Sequence, residues 1–328
     1  MQQTRRERVV NRLLQSSTLI MFVAIFVIFG AIAPRFILLE NVTNIIKQSA
    51  FTGVVAVGMT FVLLTRGIDL SVGSNMYLSA LIAGLAMRQF NLAVAPAFVV
   101  AILTGMLFGA FNAFCVVQLK MLPFIVTLAT LVAGRGIGTA LTQSVSLDYP
   151  ESMNAFGVSS LLGVPMPIVV FVIVVAVAWF ILTQTAFGRQ VYAVGNDIDG
   201  AQKAGVNTRW VVARVYIISG LCAAVGGFIL ISQTGRLDQP FGKNQEFNVI
   251  AAAVLGGTSL FGGVGSAFGA VIGAVLIQMV QNGLVFANVN LYLQPMIQAA
   301  IIFLAVFFDS LRGVRLNRLK RRFIRAEA

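Results

Sequence analysis

The sequence contains no histidine, two cysteines, eight prolines and only 11 acidic residues among 328. Without histidine, no imidazole-based proton relay, general base or metal centre can form. Cys115 and Cys222 fall inside apolar runs, where cysteine acts as a small apolar residue, and they imply neither a disulfide framework nor a metal site. The acids are Glu7, Glu40, Asp69, Asp148, Glu151, Asp197, Asp199, Asp238, Glu246, Asp309 and Glu327, and they stand in tails, in loops or at the ends of apolar runs. That placement speaks against an ion-coupled secondary solute transporter, the main alternative for such a chain, which usually needs ionisable groups deep in the membrane. A membrane enzyme would want a histidine, a carboxylate pair or a metal cluster around a cavity, and none is visible. No G-x-x-x-x-G-K-[ST] occurs, so there is no phosphate-cradling P-loop.

What is abundant is apolar residue. The chain is 58% hydrophobic and 10% charged, its mean hydropathy is +0.91, and apolar runs of about 15 to 25 residues follow one another, as expected of a polytopic membrane protein. Backbone groups left unpaired in lipid are costly, so the spanning elements are helices or a closed barrel. Unbroken runs such as 169–182 lack the alternation of a barrel strand, so the expected fold is all-α. The start, MQQTRRERVVNR followed by an apolar run at 19–33, resembles a signal peptide, but Pro34 directly after Ala31, Ile32 and Ala33 blocks cleavage and leaves a retained first span.

The runs and their breaks predict about ten transmembrane helices: 17–33, 50–64, 70–87, 93–117, 123–141, 167–182, 211–232, 247–260, 264–286 and 292–308. The second, third and eighth are short and Gly-rich, and so are expected to be broken or not fully spanning. With both termini cytoplasmic, 17 of the 23 Lys and Arg residues fall inside, and Arg35, Lys47, Arg88, Arg236 and Lys243 fall outside. That bias satisfies the positive-inside rule for an even number of spans. The remaining cation, Arg135, sits within a span toward its outer side, where snorkelling or pairing is expected. A single transmembrane domain then covers 1–328, with a cytoplasmic tail at 1–16, a cytoplasmic loop at 183–210, a basic cytoplasmic tail at 309–328 and an external platform at 143–165. Topology and contact with membrane lipid account for the net charge of +12, and no nucleic-acid partner is called for.

Three stretches stand out. In "FGRQVYAVGNDIDGAQKAGVNTRW", Asp199 can cap a short helix and Gly205 can end it in the left-handed conformation. A helix of about 8 Å is too short to be stable alone. Its small residues, Gly200, Ala201 and Ala204, would admit a partner closely; the other reading is an ordinary solvated loop. In "TRGIDLSVGSNMYLSALIAGLA", Asp69 is followed by Ser71, Ser74 and Asn75, which either cap and pack the helix or line a solute pathway together with Asn112, Thr127 and Gln278. In "VIAAAVLGGTSLFGGVGSAFGAVIGAVLI", Gly265, Gly269 and Gly273 recur every fourth residue, as in a helix-packing groove; Gly105 and Gly109 read the same way. The glycine-rich turn at 260–265 is expected to be re-entrant or sharply bent, and its "VGS" echoes the one at 72–74, a hint of related repeats.

Together these stretches resemble the permease subunit of bacterial ABC importers for simple sugars, the family of ribose, arabinose, xylose and galactoside permeases. The resemblance rests on "VGMTFVLLTRGIDLSVGS" at 57–74, "TAFGRQVYAVGN" at 185–196 with "AGVNTR" at 204–209, and "VIAAAVLGGTSLFGGVGS" at 249–266, in the family's order and spacing. Arg66 departs from the Gly or Ser common there, and "GND" at 195–197 departs from "GGN". The resemblance implies a type II ABC importer-like permease that is not itself an enzyme. It implies a second permease copy, identical or related, an ATPase subunit with two nucleotide-binding cassettes that holds the ATP and Mg²⁺, and a periplasmic sugar-binding protein. It also implies that Gly188, Arg189, Gly195, Asn196, Asp199, Ala201, Ala204 and Gly205 belong to the segment that couples to the ATPase, and that this chain binds no cofactor itself.

Overall fold

Residues whose side chains cannot compensate an open backbone in lipid close their hydrogen bonds within helices, and helices dominate the computed structural model, which describes residues 17–304 and Phe307. The expected tails at 1–16 and 309–328 lie outside the described residues. The helices are α1 (Ser17–Ile32), α2 (Leu39–Leu64), α3 (Val72–Phe90), α4 (Val94–Val117), α5 (Pro123–Thr142), α6 (Glu151–Val158), α7 (Met166–Gln184), α8 (Ala186–Asn196), α9 (Ile198–Lys203), α10 (Thr208–Thr234), α11 (Gln245–Leu255) and α12 (Ala267–Phe286), followed by the short apolar α13 (Gln294–Leu304). Among the described residues, six of them, α2, α4, α5, α7, α10 and α12, are long and apolar enough to cross a membrane.

Two expected boundaries move. The second run, expected over 50–64, is the end of a 26-residue helix that starts at Leu39. Its first turns look polar in sequence, yet Asn41 donates to Phe36 O at 2.8 Å and Thr43 to Leu39 O at 2.9 Å, so these side chains are satisfied locally and the helix continues. The eighth run is reduced to the 11 residues of α11, because Gly256 and Gly257 turn the chain out of the helix, Gly257 at φ 90°.

The chain divides into two compact units, residues 1–45 with 276–328, and residues 46–275. In the first, Phe36 on a 3-10 turn (Pro34–Ile37) is fully buried and packs in tilted or edge-on fashion against Phe26, Phe29 and Phe286 at centroid distances of 5.8, 5.6 and 6.3 Å. In the second, α4 and α10 lie together along a seam of small residues: a Cβ at Gly105 would meet Ala224 and the carbonyl of Gly220, and one at Gly109 would meet Tyr216 O. Small residues at such a seam let two backbones approach closely, which is the main source of helix association in lipid. Helix α3 packs against both, and α5 packs against α3. The segment at 143–165 carries β1 (Leu147–Asp148), β2 (Ser160–Leu161) and β3 (Val164–Pro165); β1 pairs antiparallel with β4 (Arg236–Leu237), and β2 with β3. Tyr149 anchors this segment by donating its hydroxyl to Ala80 O.

Arg135 is paired rather than snorkelling. It donates to Phe241 O and, at 3.2 Å, to Gly73 O, and its guanidinium lies 5.2 Å from the Tyr77 ring centroid. Carbonyls and an aromatic face together compensate the desolvated cation.

Candidate functional site

The stretch between α7 and α10 is built by successive side-chain caps. Thr185 ends α7 and starts α8, accepting from Gly188 N at 3.1 Å and donating to Ile181 O at 2.6 Å. Helix α8 is amphipathic: Gly188, Val191, Val194 and Gly195 are buried, while Arg189 and Asn196 are exposed. At Asp197 the backbone becomes extended and its carboxylate accepts from Asp199 N at 3.1 Å, starting α9. The cap is therefore Asp197, and Asp199, expected in that role, is an exposed residue of the first turn. Gly205 follows at φ 82°, the left-handed conformation expected of it, and Asn207 caps α10 by accepting from Trp210 N at 3.2 Å. Ala201 is buried against its own chain, with its carbonyl accepting from Val206 N at 3.0 Å. It is 6% exposed, whereas Ala204 and Gly205 are exposed.

The C-terminal end of α8 docks on two other stretches. Arg66, in the turn after α2, donates through Nε to Gly195 O at 2.7 Å and through an amino nitrogen to Asn196 O at 2.6 Å. These carbonyls lie at the negative end of α8, where intrahelical donors have run out and a cation is favoured. Two residues earlier, Leu64 accepts through its carbonyl from Gly263 N at 3.0 Å. Tyr192 donates to Gly265 O at 2.8 Å, and burial raises its phenol above the usual range. A Cβ on Gly195 would fall on the carbonyl of Leu64 and lie 2.6 Å from Gly263 N. The three stretches singled out in the sequence thus meet at one node, with α9 and its exposed tip directly beyond it.

Next to the node lies a buried polar cluster. Asp69 is 1% exposed and accepts from Ser71 N at 3.0 Å, from Ser71 Oγ at 2.5 Å and from Ser219 Oγ on α10 at 2.7 Å. Asn112 on α4 donates to Ser71 Oγ at 2.8 Å. Asn75 donates to Gly105 O at 3.2 Å and Gly220 O at 3.3 Å, joining α3 to the seam between α4 and α10, and Ser79 donates to Asn75 Oδ1 at 2.8 Å. Ser74 donates to Ser71 O at 2.8 Å. Asp69, Ser71, Ser74 and Asn75, together with Asn112, Thr127 and Gln278, are all buried.

The family described as "Branched-chain amino acid transport system / permease component" matches residues 41–306. The chain belongs to this family. It is 35% identical over 308 residues to the ribose import permease protein of Haemophilus influenzae, covering 92% of this chain and 95% of the relative. It is 34% identical over 300 residues to the D-allose transport system permease protein of Escherichia coli, covering 90% and 91%. To the Escherichia coli xylose transport system permease protein it is 32% identical over 333 residues, covering 83% and 85%. No solved structure matches. The permease is a multi-pass integral membrane protein.

Within this permease, the third stretch is corrected in one respect. Gly265 is not part of the helical groove; it lies in the turn before α12 at φ 157°, while Ser266 starts the helix by accepting from Gly269 N at 3.0 Å. Gly269 and Gly273 do pack, facing the backbone of Gly256 and Ala252 at the end of α11.

The geometry at Arg66 accounts for an arginine at a backbone position that favours glycine. Arg66 sits at φ 63°, where a non-glycine residue costs about 1 kcal/mol. Two charge-assisted bonds to the end of α8 more than offset that cost, at about 1.5 kcal/mol or more each before discount for exposure. Thermal unfolding of the purified permease should therefore rank wild type above Arg66→Gly, and Arg66→Gly above Arg66→Ala, because only alanine keeps the strained backbone after the bonds are lost. A glycine variant less stable than the alanine variant would contradict this assignment.

Proposed function

We propose that this chain is the permease subunit of an ATP-driven importer of monosaccharides of the ribose, allose or xylose kind. The observation that carries the reading is the node itself: the three stretches shared with sugar permeases converge where α8 presents α9. The main support beside it is the likeness to ribose, allose and xylose permeases over most of the chain.

In this reading the chain makes ten crossings of the bacterial inner membrane, the six long helices together with α1, α3, α11 and α13, and both termini are cytoplasmic. Segment 183–210 faces the cytosol, and the platform at 143–165 faces the periplasm and the binding protein that delivers sugar. Two copies, or one copy and a related permease, form the pathway. ATP and Mg²⁺ stay on the separate ATPase, whose two cassettes each grip one α9 through Asp199, Ala204 and Gly205, with Gly188, Arg189 and Asn196 flanking. Ala201 serves as the internal anchor of that short helix, which is too short to hold itself. Movement of α9 passes through Gly195 and Arg66 into the turn that carries Asp69, and Ser71, Ser74 and Asn75 carry it onward to α4 and α10. Packed elements joined in this way move as rigid bodies, which lets a push at the surface change a pathway between inward-open and outward-open states.

Uptake of labelled ribose, allose and xylose in cells with and without the partner ATPase tests the reading. Uptake should require the ATPase and survive an uncoupler. Uptake that persists without the ATPase and collapses with an uncoupler would instead identify a secondary transporter. The contact surface is tested by Gly205→Val. Nothing lies within 4 Å of a Cβ there, so the chain itself has room and the strain is confined to a backbone at φ 82°. The variant should insert normally and lose most ATPase-dependent uptake; wild-type uptake would remove this residue from the coupling contact.

A further inference from the structure

A cavity of about 380 Å³ opens beside α9. Three cations, Arg66, Lys120 and Arg209, line it, and no carboxylate does. Lys120 and Arg209 are exposed and form no ion pair among the described residues. Unpaired like charges gathered at one opening raise the local potential and favour an anion.

A second observation points the same way. Tyr216 also lines the cavity; it is fully buried, yet its hydroxyl has no hydrogen-bond partner. Buried hydroxyls without partners are rare and costly. The oxygen would lie 2.7 Å from a Cβ at Gly67, which is itself a lining residue. Glycine at position 67 leaves room for this hydroxyl within the cavity wall. The hydroxyl is a donor that lacks its acceptor.

We propose that this cavity binds a phosphate ester, with its phosphate oxygens taken by Lys120, Arg209, the free edge of Arg66 and the Tyr216 hydroxyl. The apolar walls supplied by Val116, Val117 and Val212 accept the rest of the molecule. These walls, with Pro123, lie at the ends of three long apolar helices, α4, α10 and α5. Trp210 beside them is 61% exposed and Leu122 is 67% exposed. Basic pockets between helix ends, flanked by exposed aromatic and aliphatic residues, suit an anionic phospholipid headgroup at the membrane surface. A free phosphorylated small molecule has the same chemistry and differs only in lacking acyl chains. Since Ile198 and Gln202 of α9 also line the cavity, a bound ester would brace the coupling segment from its inner side.

The test uses the full-length permease purified in a neutral detergent and titrated by calorimetry with dioctanoyl phosphatidylglycerol, dioctanoyl phosphatidylcholine and glycerol 3-phosphate. It requires neither sugar nor ATPase, so its failure is separable from failure of the transport reading. Phosphatidylglycerol should bind at least about tenfold more tightly than phosphatidylcholine, because only the former carries net charge. Lys120→Gln and Arg209→Gln should each weaken it about tenfold. Tyr216→Phe, which keeps the buried ring, should weaken it about fivefold. Glycerol 3-phosphate binding as tightly as the lipid, and with the same dependence on these residues, would assign the site to a free ester; no binding would assign it to the headgroup. Equal affinity for the two lipids, or wild-type affinity in all three variants, overturns the proposal.

Discussion

Gly195→Val should reduce ATPase-dependent sugar uptake to roughly a tenth or less, the largest functional loss expected of any single change in the segment at 183–210. A Cβ at this position meets the carbonyl of Leu64 on one side and Gly263 N on the other. Both obstacles are backbone, and Leu64 O and Gly263 N are themselves joined by a 3.0 Å hydrogen bond. The collision cannot be relieved by turning a side chain, so α8 must lift away from the turn that follows α2. Lifting it breaks the bonds from Arg66 to Gly195 O and Asn196 O and cuts α9 off from the turn after α2. Of the spanning helices only α2 is touched, at its last residue, Leu64, so the protein should still reach the membrane. The discriminating measurement is ATPase activity in the assembled complex: hydrolysis should persist while its dependence on sugar delivery disappears. Normal uptake at normal abundance would show that the node transmits nothing.

The helical class and the positions of most apolar elements were legible because lipid leaves few alternatives to a helix and length limits set its span. The three candidate stretches were legible too, as interruptions of the apolar pattern by Gly, Asp, Ser and Asn. Their meeting was not, since Arg66 and Gly195 are 129 residues apart and neither carries a mark of the other. The exchange of Asp199 for Asp197 as cap has a similar cause. Both residues have the right chemistry, and only the extended backbone at Asp197 decides which carboxylate turns toward the free amide. Gly265 falls outside the groove for a reason visible in the sequence. Counting every fourth glycine ran through Ser266, which is itself a helix-start signal and ends the periodic pattern one residue after Gly265. Ala201, a small residue expected to admit a partner, is buried within its own chain.

Asp69 is the position where sequence chemistry and structure diverge most usefully. A carboxylate at the edge of an apolar helix reads as a simple cap, and Asp69 does accept from Ser71 N. It also accepts from the Ser71 and Ser219 hydroxyls, the latter 150 residues away, while Asn112 fixes Ser71 from α4. Asp69→Ala would leave these donors without an acceptor in a buried site, at about 1 to 3 kcal/mol for each unsatisfied group. Relief from burying the carboxylate offsets part of that, so a net loss of about 3 kcal/mol is expected. The signature is a clear fall in the amount of permease in the membrane and in the unfolding temperature of what is recovered. Asp69→Asn is the informative companion. Its retained oxygen can still accept from Ser71, and the Ser219 hydroxyl can rotate to accept from the new amide, so its loss should be nearer 1 kcal/mol. If Asp69→Asn is as unstable as Asp69→Ala, the negative charge itself holds the cluster. If both variants are stable and abundant yet fail to transport, Asp69 acts on the solute pathway and its hydrogen bonds to α10 are incidental to folding.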